Sequence, residues 1–237
     1  MKDSGSMSKM AQKIDNQGSA DNLILVNERI VAAAESIGRH PSTISLVAVS
    51  KLSPVGKIKS IIKNGQLIFG ENRVQEAINK WPPLKHRNPD VRLHLIGPLQ
   101  TNKVKDAMTL FDVIETIDRP KLAHAIARQR DLTQKCPALL SQVNIGSEPQ
   151  KHGIFPDRVH EFIMQCHTEF DLQLRGLMCI PPKAEDPAIH FNLLKEIGDT
   201  HSLPWLSMGM SDDFEIAVRC GATHVRVGTA IFGPRTS

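Results

Sequence analysis

The chain has 237 residues, of which 41% are apolar and 23% are charged, a composition typical of a globular protein. Its formal net charge is only +4 and its aromatic content is 4%, which argues against a nucleic-acid-binding surface. No apolar run approaches the roughly 20 residues that cross a bilayer, and the first residues carry no secretory signal. We therefore expect a cytoplasmic protein that binds neither nucleic acid nor membrane.

The four cysteines are widely spaced, and none forms a C-x-x-C pair. A zinc ribbon or a redox pair is therefore not expected, and neither is a disulfide framework in a chain of this length. We interpret the cysteines as reduced thiols and expect no metal site.

The first 21 residues are polar and contain glycine and serine, which predicts a disordered N-terminal tail over residues 1–21. Residues 1–6 are a candidate non-native extension, with Met7 as the alternative start. From Asn22 onward, apolar residues recur at helical spacing and stop before Gly38. This pattern predicts an extra N-terminal helix ahead of the main fold.

Short β-branched runs then alternate with amphipathic stretches every 20 to 30 residues. The predicted strands are 44–50, 67–70, 91–97, 113–117, 138–145, 172–180, 205–210 and 224–228. The predicted helices between them are 55–64, 72–80, 102–110, 120–132, 156–168, 187–200 and 213–220. Strands separated by helices favour a parallel sheet, because parallel neighbours need a long crossover.

Eight strands are the number that closes a (β/α)8 barrel. An open doubly wound sheet is the alternative, but no G-x-G-x-x-G follows the first strand. We predict one α/β domain over residues 22–237, a single (β/α)8 TIM barrel that includes the extra N-terminal helix.

Lys51 ends the first predicted strand, in the stretch AVSK. The C-terminal strand ends form the active face of such a barrel, and partial desolvation there lowers a lysine pKa and favours Schiff-base chemistry. The alternative interpretation is a strand-end lysine that extends into water.

Two small-residue segments follow the last two strands, SMGMS at 207–211 and VGTA at 227–230. Barrels often bind phosphate at this place through backbone N–H groups and a helix N-terminus. Gly209, Gly228 and Thr229 allow a close backbone approach. Turn glycines with a helix cap at Ser211 or Asp212 are the alternative. Together with Lys51, the phosphate interpretation points to an aldehyde that carries a phosphate.

Arg226 shares a face of the last strand with Gly228, which we place toward the barrel interior. An arginine there can contact the ring nitrogen of pyridoxal phosphate and keep it unprotonated. Alternatively, it bridges to barrel carboxylates such as Glu71.

The chain resembles the pyridoxal phosphate homeostasis proteins, also called the YggS/PROSC family. The stretches that carry the resemblance are LVAVSK (46–51), FGENRVQE (69–76), HLIGPLQTNK (94–103), VNIGSEPQKHG (143–153), RGLMCI (175–180), LSMGMSDDFE (206–215) and VRVGTAIFG (225–233). They occur in order over most of the chain.

This resemblance implies a barrel of the alanine racemase N-terminal type, that is, a fold-type III pyridoxal phosphate protein. It implies a cofactor held as an aldimine on Lys51, phosphate contacts at Ser211, Gly228 and Thr229, and Arg226 at the pyridine nitrogen. Three further residues would line the pocket: Asn72, Met208 and Gly209.

The family resemblance also implies a protein that carries or buffers pyridoxal 5'-phosphate in vitamin B6 and amino-acid homeostasis, without catalytic residues. We expect a monomer whose acceptors are apo forms of pyridoxal phosphate enzymes. One alternative is an amino-acid racemase, but the chain has no tyrosine to act as second base and would have to use His94 or Cys179. Another is an aldolase-type barrel enzyme in which Lys51 bonds directly to a substrate.

Overall fold

The computed structural model describes residues 4–234, with side chains from residue 18 onward. Its eight strands form a closed barrel in which each strand pairs with the next in chain order. The pairing is parallel throughout, including β8 against β1. The strands are β1 Ser45–Val49, β2 Ile68–Glu71, β3 Arg92–Leu95, β4 Val113–Ile117, β5 Ala138–Val143, β6 Leu174–Cys179, β7 Trp205–Ser207 and β8 His224–Val227. The predicted (β/α)8 barrel is confirmed.

The α-helices within residues 4–234 lie before, between and after these strands. They are α1 Ser4–Glu35, α2 Val55–Lys63, α3 Val74–Lys80, α4 Pro82–Arg87, α5 Val104–Leu110, α6 Pro120–Thr133, α7 Val159–Thr168, α8 Pro187–Thr200, α9 Phe214–Arg219 and α10 Thr229–Phe232. Two of them, α4 and α10, lie outside the predicted stretches. Pro82 favours a new start at α4, because proline fits the first helical turn, where its missing N–H is not needed.

The N-terminal helix begins earlier than its apolar stripe indicated, at Ser4 rather than at residue 22. The predicted disordered tail is therefore wrong for residues 18–21, which are helical and include the buried Ser19 and Ala20. Residues 1–3 and the side chains of residues 4–17 lie outside the described part of the chain. The interpretation of residues 1–6 as a non-native extension stays a prediction.

The apolar core has two layers, one between barrel and helices and a smaller one inside the barrel. The outer layer is the larger, and its side chains include Phe69 and Trp81, whose rings lie 5.0 Å apart. Inside the barrel, Val113, Leu140 and Met178 form a separate cluster. Such internal packing closes a barrel of eight strands to solvent, so a ligand must bind at one of its ends.

The register between strands decides which side chains point inward. Paired residues of neighbouring parallel strands share a face of the sheet, and faces alternate along each strand. Val47 is the register partner of Arg226, and Ser207 is the register partner of His224. Ser207 bonds to Arg226 on the neighbouring strand and to Glu115 of β4 across the barrel, so this whole set points inward. The predicted inward direction of Arg226 is consistent with this register.

Gly176 in β6 lies against β7 with no room for a side chain, because an added Cβ would stand 1.9 Å from the carbonyl oxygen of Trp205. We expect Gly176→Ala to lower the free energy of unfolding by about 3 kcal/mol, since the closed barrel cannot move one strand alone. The matched control is Gly18→Ala in α1, where no atom lies within 4 Å of the added Cβ. Denaturant unfolding of both variants is the measurement, and equal losses would contradict this account.

Candidate functional site

Lys51 lies two residues after Val49, the last residue of β1, at the C-terminal end of the barrel. It lies in a turn closed by the Ser53 N–H, which donates to the Ser50 carbonyl at 3.0 Å. Counting in alternation from the inward-facing Val47, Lys51 belongs to the inward-facing set. Lys51 is half-buried at this end of the barrel, and its role as the reactive amine stays a prediction.

The loops after β7 and β8 meet at this same end. Ser211 Oγ accepts a hydrogen bond from the Ala230 N–H at 3.3 Å, and the Arg226 N–H donates to the Gly209 carbonyl at 2.9 Å. Gly209 has a φ of +88°, and an added Cβ there would stand 2.5 Å from Ala217 Cβ. Glycine is required at this turn both for its backbone conformation and for space.

Gly228 brings this loop pair against the first strand. A Cβ added at Gly228 would lie 3.2 Å from Val49 Cβ, two residues before Lys51. Thr229, which begins α10, is exposed at the same end. The structure therefore places Lys51, Ser211, Gly228 and Thr229 at the same mouth of the barrel.

Asn72 follows β2 and packs its backbone against the next loop. An added Cβ at Gly97 would stand 2.2 Å from the Asn72 carbonyl oxygen, so this glycine is also required for close approach. The side-chain oxygen of Asn72 is buried and has no hydrogen-bond partner among the described residues. Rotating the amide exchanges this oxygen for the donor nitrogen. A polar ligand at the mouth could therefore satisfy Asn72.

Met208 does not share this placement. Its side chain is fully buried in the outer core layer, between the barrel and the helices. The reason is alternation, because its neighbour Ser207 points into the barrel. A lining role for Met208 can involve only its backbone.

Arg226 is buried inside the barrel and bonded on two sides. Its Nη1 donates to Ser207 Oγ at 2.7 Å, and its Nη2 donates to the Cys179 carbonyl at 2.7 Å. These bonds use two of the five N–H donors of a guanidinium. Glu71, the carboxylate considered as its partner, bonds instead to Lys80 at 2.7 Å in the outer layer.

Glu115 in β4 is the carboxylate that pairs with the polar side chains inside the barrel. It was not identified in the sequence analysis. Its Oε2 accepts from Ser207 Oγ at 2.5 Å, and its Oε1 lies 2.6 Å from His94 Nδ1. Burial raises the pKa of Glu115, but the His94 hydrogen bond and the charges of His94 and Arg226 outweigh it and lower the pKa to about 2. A glutamate in the middle of a strand that is otherwise free of charged residues, VIETI, is the signal that could have found it.

No helix within residues 4–234 is long and apolar enough to cross a membrane. In the same part of the chain, no three His, Cys, Asp or Glu side chains are grouped to hold a metal ion.

The family model for the alanine racemase N-terminal domain matches residues 29–236, and the chain belongs to that family. It is 38% identical over 225 residues to the pyridoxal phosphate homeostasis protein of Haemophilus influenzae, covering 90% of this chain and 94% of the relative. It is also 38% identical to the protein of that name from Escherichia coli K12, covering 91% and 96%. The chain is therefore a member of the pyridoxal phosphate homeostasis protein family.

Solved structures agree with this assignment. PipY of Synechococcus elongatus PCC7942, solved with pyridoxal phosphate bound, is 34% identical and superposes with a TM-score of 0.77, covering 91% of this chain and 100% of PipY. An alanine racemase of Clostridium difficile 630 superposes with a TM-score of 0.70 at 15% identity. This chain spans 58% of the racemase, and that likeness shows a shared fold alone.

His224, at the start of β8, makes the barrel interior sensitive to acid. Burial lowers its pKa from the usual 6.5 to about 4; the charge of Glu115 opposes this shift, while those of His94 and Arg226 add to it. The unfolded chain therefore binds this proton more tightly than the folded one.

We expect the free energy of unfolding to fall by roughly 3 kcal/mol through His224 as the pH drops from 6.5 to 4. His224→Asn should remove that share of the loss, because asparagine does not titrate. Urea unfolding of wild type and variant across this pH range is the measurement. Parallel stability profiles for the two proteins would contradict the assignment.

Proposed function

We propose that this protein binds pyridoxal 5'-phosphate at the barrel mouth and carries or buffers it for apo forms of pyridoxal phosphate enzymes. The observation that carries the proposal is the convergence of Lys51, Ser211, Gly228 and Thr229 on one end of the barrel, with Arg226 below them. The names of the relatives and the cofactor bound to PipY support it. We further propose that it acts in the cytoplasm as a monomer.

Each proposed contact matches one part of the ligand. Bound there, the cofactor supplies an aldehyde that bonds reversibly to an amine. Lys51 provides that amine, and Asn72, which follows the neighbouring strand β2, has a buried side-chain oxygen without a hydrogen-bond partner among the described residues. Ser211, Gly228 and Thr229 hold the phosphate through hydroxyl and backbone N–H groups. Gly209 keeps the β7 loop close enough for these contacts.

Arg226 supports a role as a cofactor carrier rather than as an enzyme. A guanidinium stays protonated, so a pyridine nitrogen that accepts its hydrogen bond stays unprotonated. An unprotonated ring withdraws electrons weakly and supports carbanion chemistry poorly. Ser207 and the Cys179 carbonyl hold Arg226 in this orientation from the barrel interior.

The side chains that a racemase would need are not poised for it. The sequence contains no tyrosine. His94 is buried against Glu115 inside the barrel, and burial raises the pKa of Cys179 to about 12, so its thiol stays protonated. These placements support a protein without a second catalytic base, and we propose that it has no catalytic turnover.

Lys51→Ala tests the attachment point. Borohydride reduction of the loaded wild type should leave the ligand covalently on the peptide that contains Lys51, because reduction makes the amine bond permanent. Lys51→Ala should gain no mass, while Lys59→Ala, at an exposed position on α2, should label as wild type does. Peptide mass spectrometry is the measurement.

An unlabelled wild type at excess ligand would overturn the binding proposal. Labelled protein that racemises free amino acids, or that fails to restore activity to an apo-enzyme, would overturn the carrier proposal. If the protein is instead an aldolase-type enzyme, borohydride should attach its substrate to Lys51, and pyridoxal phosphate should not label the protein.

Ser211→Ala tests the phosphate site. The loss of a hydroxyl that bonds an anionic oxygen should weaken pyridoxal phosphate binding about tenfold. Binding of pyridoxal, which has no phosphate, should be unchanged. Ser202→Ala, on an exposed loop, is the control. Equal losses for the two ligands in an equilibrium titration would place the phosphate elsewhere.

A further inference from the structure

Helix α3 bonds to the backbone on both sides of Lys51. Glu76 Oε1 accepts the N–H of Leu52, the next residue in the chain, at 2.7 Å. Lys80 Nζ donates to the carbonyl of Ser50, the preceding residue, at 2.9 Å. Glu76 and Lys80 are also paired with each other at 3.0 Å, one helical turn apart. The two side chains therefore form a clamp around the turn that presents Lys51.

The turn needs such a clamp because its backbone is strained. Leu52 has a φ of +60°, in the left-handed region that leucine seldom occupies. Its side chain is 69% exposed, so packing of that side chain does not hold the conformation. The bond from its N–H to Glu76 is the polar contact that opposes relaxation of the turn.

The clamp is anchored in the outer core layer by an ion pair between Lys80 and the buried Glu71. Lys80 Nζ lies 2.7 Å from Glu71 Oε1, and this same oxygen accepts from Ser50 Oγ at 2.6 Å and from Trp81 Nε1 at 2.9 Å. Glu71 is fully buried between β2 and α3. Since a buried carboxylate without a cation is costly, Lys80 is held firmly in place. Through Glu76 and Lys80, the position of α3 therefore fixes the backbone on either side of Lys51.

We propose that Glu76, together with Lys80, is a positioning residue that fixes the Lys51 amine for reaction with the ligand aldehyde. This proposal rests on the proposed role of Lys51 and adds that the turn carrying Lys51 must be held by α3. An amine held in one orientation reacts at a high effective concentration, whereas a relaxed turn disperses it over many orientations. The clamp sets how tightly the aldehyde is held, without touching it.

The test compares three substitutions of Glu76. Glu76→Ala removes both the Leu52 bond and the Lys80 pair. Glu76→Asp keeps the charge but is too short to reach the Leu52 N–H. Glu76→Gln keeps the reach and an acceptor oxygen but loses the charge. The bond to Leu52 is the one that holds the turn. Glu76→Ala and Glu76→Asp should therefore weaken pyridoxal phosphate binding about tenfold, whereas Glu76→Gln should bind with nearly the wild-type affinity.

Asp112 provides a matched control at the opposite end of the barrel. Its carboxylate accepts the Leu93 N–H at 2.7 Å and pairs with Lys85 at 2.7 Å, and its side chain is 25% exposed, against 24% for Glu76. Asp112→Ala therefore removes the same kinds of contact. It should lower the melting temperature as Glu76→Ala does but leave ligand affinity at the wild-type level.

Equilibrium titration and thermal melting of the five proteins decide the matter. Wild-type affinity in Glu76→Asp, with a melting temperature lowered as in Asp112→Ala, would reduce the clamp to a structural contact and overturn the proposal. The same holds if Glu76→Gln binds as weakly as Glu76→Ala. If Glu76→Ala does not fold, the Asp and Gln pair carries the same test. Absence of binding in wild type would instead refute the proposed function itself.

Discussion

The parallel pairing of β8 with β1 joins the two ends of the sheet. It closes the barrel, and it places the end of the first strand beside the end of the last. Gly228 can lie against Val49 because this pairing is in register and because Gly228 has no side chain to hold the two strands apart. Lys51 therefore lies at the same end of the barrel as Ser211 and Thr229, although these residues are far apart in the sequence.

Closure also buries the inside of the barrel, so the charged side chains there must pair with each other. Arg226, Glu115 and His94 are all nearly or fully buried, and Ser207 connects the first two. An isolated charge at this depth would cost several kcal/mol, so the three form one unit whose parts are not separable. The unit holds the guanidinium below the mouth, where a ligand can meet it.

The outer layer contributes to the site as well, although its residues do not face the mouth. Glu71 and Trp81 belong to the packing between β2 and α3, and Lys80 connects that packing to the backbone before Lys51. Barrel enzymes and binding proteins are usually described by their strand-end residues. Here the helix behind the strand determines how one of those residues is presented.

Alternation and strand–helix rhythm are local patterns, so they were enough to predict the number and order of strands, the position of Lys51 at a strand end and the inward face of Arg226. It misjudged the start of α1, since a helix can extend past its apolar stripe. Three features could be seen only in the folded chain: the outward direction of Met208, the hydrogen bond between Glu115 and Ser207, and the clamp from α3. They depend on register and on hydrogen bonds between residues 24 to 92 positions apart, which no local pattern encodes.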